Sequence, residues 1–102
     1  MNFQKMADNI EIQRKEALHI KNNAMLNLCD SGKLSITKKR KAKKLLKYFF
    51  FLEKEILRAL HDTEKLPGSK EIIPQFFQDT VYRFLDETRE AIGFLNERIQ
   101  VK

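Results

Sequence analysis

Between Lys33 and Lys47 the chain places eight basic residues and no acidic one, whereas the remainder has twelve basic against fourteen acidic. That segment alone turns a near-neutral chain of 102 residues into one of formal charge +6. The chemistry of such a segment is anion binding, and a local positive field speeds encounter with acidic partners without choosing among them. Lys38, Lys39, Arg40, Lys41, Lys43, Lys44 and Lys47 are the candidate anion- or partner-binding residues. They stand at or near a helix N-terminus, where the positive end of the macrodipole and their mutual repulsion both disfavour them in the free protein. On a helical wheel Arg40, Lys43, Lys44 and Lys47 fall opposite the apolar stripe of the same segment, so they can reach phosphates or carboxylates while the stripe packs.

Covalent and metal chemistry find less support. His19 and His61 lie far apart, there is one cysteine, and no His-Glu-x-x-His pattern occurs. Glu16-Ala17-Leu18-His19 is a single Glu-x-x-His spacing off the apolar stripe, whereas a bundle metal centre needs such motifs projecting inward from two helices, so neither a metal nor another cofactor is expected. Asp86, Glu87 and Glu90 cluster, and the expectation is that they pair with Arg83 and Arg89 on a solvated face. Pro67-Gly68-Ser69-Lys70 lacks the first glycine of a phosphate loop and follows no strand. Ser31, Ser35 and Ser69 fit caps and turns. His19-Ile20-Lys21 departs from the motif of histidine phosphotransfer domains, in which lysine stands three residues after the histidine. Lys38-Lys39-Arg40-Lys41 resembles the nuclear import signal type Lys-Lys/Arg-x-Lys/Arg, which is bound extended rather than helical. No enzyme is expected.

The elements that must carry the basic segment are helices. Three glycines, two prolines and no tryptophan, with abundant Leu, Ile, Lys and Glu, leave too few turn residues for a many-stranded protein. An apolar content of 42% suffices for one modest core, so residues 1–102 read as a single domain. The lone Cys29 fits a reducing cytosol, no apolar leader is visible, and a cytoplasmic location is expected. The longest wholly apolar run, Tyr48 to Leu52, is far short of the roughly 20 residues of a membrane span, although contact with a membrane surface stays open.

Helix 1 is expected from about Phe3, after an Asn2 cap, to Cys29. Phe3, Met6, Ile10, Ala17, Ile20 and Ala24 make its stripe, which weakens at Gln13-Arg14 and at Asn22-Asn23. A break at Asn22-Asn23 would make four helices of three. Asp30-Ser31-Gly32 should end it. Ser35 or Thr37 can cap helix 2, whose stripe is Ala42, Leu45, Leu46, Phe49, Leu52, Ile56, Ala59 and Leu60. Phe50, Phe51 and Leu57 fall off that stripe, which predicts a second apolar side. Leu66-Pro67-Gly68-Ser69 is a break, and Pro74 opens helix 3, with Ile73, Phe77, Val81, Phe84, Thr88, Ile92, Leu95 and Ile99 in its stripe. Gly93 within it implies a bulky neighbour or a local weakness.

The expected architecture is therefore all-α: an elongated antiparallel up-down-up three-helix bundle, with helix 2 between the others. Phe50, Phe51, Leu57, Phe76, Leu85 and Phe94 are the candidate interface for a homodimer or a partner helix. The expected function is non-enzymatic: a small regulatory or adaptor-type binding protein that self-associates as a dimer and whose basic face engages an acidic protein or nucleic acid. The alternatives are a nucleic-acid-binding accessory protein that contacts the phosphate backbone, and a membrane-surface or immunity-type protein.

Overall fold

The computed structural model describes residues 3–28, 33–64 and 73–100, which form three helices: α1 (Phe3–Asn27), α2 (Ile36–Glu64) and α3 (Gln75–Gln100). The expected Asn2 cap, the Cys29 to Gly32 helix end and the Leu66 to Ser69 break lie outside the described residues. The bundle measures 51 × 20 × 16 Å, so its long axis is little more than the length of one helix, about 40 Å at 1.5 Å per residue. α1 and α3 run parallel, and α2 runs antiparallel to both.

α1 is continuous through Asn22-Asn23, so the described residues form three helices and that break does not make a fourth. Asn22 and Asn23 face solvent, and the Asn23 amide contacts the His19 ring at 3.2 Å, so neither disturbs the buried side. The inward positions are Ala7, Ile10, Arg14, Ala17, Lys21, Ala24 and Leu28. Two of these are cations, which is why the apolar stripe looks weak when read from residue types alone. α2 begins at Ser35, whose hydroxyl accepts a hydrogen bond from the Lys38 amide at 3.2 Å while its carbonyl accepts one from the Lys39 amide at 2.8 Å. Thr37 lies inside the helix. Its core face is Ala42, Phe49 and Ile56, flanked by Leu45, Leu46, Leu52 and Leu60. At the start of α3 the Pro74 carbonyl accepts from the amides of Phe77 and Gln78, both at 3.2 Å, and the Gln78 side chain donates back to the Ile73 carbonyl.

The central helix is α3, and this corrects the expectation that α2 stands between the others. The backbones of α1 and α2 hardly approach one another, while α3 packs along both. Its buried arc is wide enough for that: Phe77, Val81, Phe84, Leu85, Thr88, Ala91 and Leu95 cover about a third of its circumference. Towards α1 the rings of Phe3 and Phe77 meet edge to face, 5.1 Å between centroids. Small residues, Ala17, Ala24, Ala42 and Ala91, stand where the helices come together. Gly93 is exposed, and no described atom lies within 4 Å of where a Cβ would stand, so close approach does not explain it. What remains is a helix interior weakened by about 1 kcal/mol.

Candidate functional site

α2 carries nine lysines and arginines against four carboxylates, and its capped start and inward apolar stripe fix how the charges point. With Ala42, Phe49 and Ile56 turned to the core, a 100° step per residue sends Arg40, Lys43, Lys44 and Lys47 outward. All four are exposed, as is Lys41 on one flank, while Lys39 is half-buried on the other. Lys38 occupies the first turn, where its amide is held by Ser35. Among the described residues, no carboxylate pairs with Arg40, Lys41, Lys43, Lys44 or Lys47. Thr37, Arg40, Lys41 and Lys44 surround a shallow concavity near the start of the helix. This group has donors and no acceptor except the Thr37 hydroxyl, which suits it to oxyanions.

The row continues beyond the basic segment. Spacing of three and four residues from Lys47 leads to Phe51, Lys54 and Arg58, and the exposures agree: Phe51 is 59% exposed, Lys54 is exposed, and Arg58 reaches only its neighbour Glu55 at 3.5 Å. Lys54 and Arg58 were not anticipated from the charge run, which stops at Lys47. Helical spacing carried past the aromatic run Tyr48 to Phe51 would have found them. Phe50, 46% exposed, lies beside the row.

The six residues expected to form one interface do not come together. Leu85 is 4% exposed within the single chain, so it belongs to the α3 core and is removed from the interface. Its position, one residue past Phe84, faces inward because α3 is enclosed on two sides. Phe50, Phe51 and Leu57 are exposed on α2. Phe76 and Phe94 stand instead on the side of α3 that bears Glu87, towards α1. Phe94 is half-buried and, with Asn22, Met25 and Leu26, lines a shallow apolar groove between those helices.

Charges on the α1–α3 seam are handled differently. Arg14, 13% exposed, donates to Glu87 at 2.6 and 3.1 Å and to Glu11 at 2.6 and 2.9 Å. The hydrogen bond from Arg14 holds the Glu11 carboxyl below the usual carboxylate range, against a smaller opposing effect of burial. Lys21, 8% exposed at its side chain, reaches Glu90 at 3.2 Å, and the Arg98 guanidinium donates to the Leu28 carbonyl at 2.6 Å. Asp86 and Glu90 of the expected cluster are exposed, but among the described residues neither Arg83 nor Arg89 pairs with it. Glu87 and Glu90 tie α3 to α1, and Arg89 ties α3 to Glu53 of α2 at 3.1 Å. Beneath these pairs the Thr88 hydroxyl is buried without a hydrogen-bond partner among the described residues, beside a void of about 10 Å³.

No group of three or more His, Cys, Asp or Glu side chains among the described residues is placed to hold a metal ion, and no described helix is long and apolar enough to cross a membrane. Comparison with protein-family models, curated proteins and solved structures finds no match to this chain.

Proposed function

We propose that this chain is a small, non-enzymatic binding protein of the regulatory or adaptor type, which engages an acidic partner through the outer face of α2. The observation that carries the reading is the run Arg40, Lys43, Lys44 and Lys47, exposed together and matched by no carboxylate of the described residues. Folding gains nothing from it. The cations sit near the positive end of the α2 dipole and repel one another at three- and four-residue spacing, so an anion from outside relieves both penalties. A dimer is not needed for this reading, because two copies of the same cationic face repel each other.

The test is retention on an immobilised polyanion across salt. Lys43→Glu, Lys44→Glu and Lys47→Glu together are expected to weaken binding at least tenfold. Lys5→Glu, Lys15→Glu and Arg83→Glu, equal in net charge change but placed on α1 and α3, leave most of it. Circular dichroism of both variants establishes that the helices persist. Equal loss in the two variants would show that net charge, and not this face, governs binding, and the proposal would fail.

A further inference from the structure

The N-terminal turns of α2 and its middle turn expose different things on the same side. Ile36, 74% exposed, opens the same row; from Thr37 to Lys47 no large apolar side chain is exposed, and Arg40, Lys43, Lys44 and Lys47 point outward. Phe50 and Phe51 then stand about half exposed, and Lys54 and Arg58 resume the charge beyond them. The two rings, 100° apart about the axis, straddle the line from Lys47 to Lys54. Aromatic surface is thus set inside a row of cations.

A ligand that matches this order presents evenly repeated negative charge together with flat apolar rings. We infer that the outer face of α2 binds single-stranded nucleic acid, with phosphates on the cations and bases against Phe50 and Phe51. The inference rests on the anion-binding reading above and names its partner. Single-strand binders combine these two elements, a cationic track and aromatic platforms, and stacking tolerates any base. A duplex keeps its base faces stacked inside and leaves the phenylalanines idle. An anionic lipid layer favours a helix whose apolar side runs the length of the contact, whereas between Ile36 and Phe50 the outer row brings only charge. Three lysines to one arginine among Arg40, Lys43, Lys44 and Lys47 suit phosphate contact over the forked reading of base edges.

The chain has no tryptophan, so Phe51→Trp supplies a sole indole reporter. Its fluorescence, and the anisotropy of labelled oligothymidylate of about 16 nucleotides, are followed across salt. The comparison ligands are a duplex of that length, polyglutamate and phosphatidylserine vesicles. The oligothymidylate is expected to quench the indole. Phe50→Ala with Phe51→Ala is expected to lose about tenfold or more in affinity for it at unchanged salt slope, with polyglutamate affinity unaltered. Lys43→Glu, Lys44→Glu and Lys47→Glu lower affinity and flatten the slope. Should the double alanine variant unfold, the indole signal decides alone.

Oligothymidylate binding without quenching, or an alanine variant that weakens oligothymidylate and polyglutamate alike, overturns the single-strand inference and leaves the anion-binding reading standing. Tighter binding to duplex than to single strand also overturns it, and binding to vesicles alone assigns the face to lipid headgroups. Binding to none of these ligands at low salt removes both readings.

Discussion

The α1–α3 seam and the outer face of α2 use the same residue types to opposite ends. In the seam every inward cation has a partner: Arg14 with Glu11 and Glu87, Lys21 with Glu90, Arg98 with the Leu28 carbonyl. On α2 the cations from Arg40 to Lys47 are drawn up in the open without a carboxylate partner among the described residues. A cation taken out of water has to be matched on the spot, because an unpaired buried charge costs several kcal/mol, whereas an exposed one tolerates isolation. The seam charges therefore serve the fold. Those of α2 stand where the proposed anionic partner would meet them.

Phenylalanine gives the sharpest form of the comparison. Phe49, 1% exposed, and Phe51, 59% exposed, are two residues apart on one helix. Phe49→Ala is expected to lower unfolding stability by about 3 to 5 kcal/mol, and Phe51→Ala by less than about 0.5 kcal/mol. Urea denaturation of both reads the difference; a loss above 2 kcal/mol at Phe51, on the order of a core truncation, would break the division between inner and outer face. Arginine against lysine comes next. Arg14→Met strands Glu87 and Glu11 and is expected to cost about 2 to 3 kcal/mol. Lys44→Met relieves repulsion near a helix start and is expected to be neutral or slightly stabilising. A costly Lys44→Met would mean that the outer face also serves the fold. A third case belongs to neither region: Gly93→Ala fills open space and should add about 0.5 to 1 kcal/mol, visible as a raised thermal midpoint.

The helices were legible because local rules governed their ends and stripes. Ser35 caps α2, Pro74 opens α3, and the stripes through Phe49 and Phe84 fall inside as their spacing predicts. The order of the helices in space was not legible. Phe50, Phe51 and Leu57 give α2 a second apolar side, which suggests enclosure, yet apolar residue types do not say which side a neighbour covers. α3 is enclosed instead, and Leu85 with it. Arg14 and Lys21 lay hidden for a related reason: a charge inside a stripe reads as an interruption when its partner is some 70 positions away, as Glu87 is from Arg14. The basic side of α2 as far as Lys47 could be drawn on a wheel, whereas its extension to Lys54 and Arg58 was masked by the aromatic run Tyr48 to Phe51.

The parallel course of α1 and α3 bears on the order of assembly. Contacts between them join residues 73 and 70 positions apart, as in Arg14 with Glu87 and Arg98 with Leu28, while α2 meets α3 across 36, as in Arg89 with Glu53. Closing the shorter loop costs less chain entropy, so the α2–α3 hairpin is the natural nucleus, and α1 docks on a surface already made. Amide exchange under native conditions should then find α1 opening at lower free energy than the hairpin it covers.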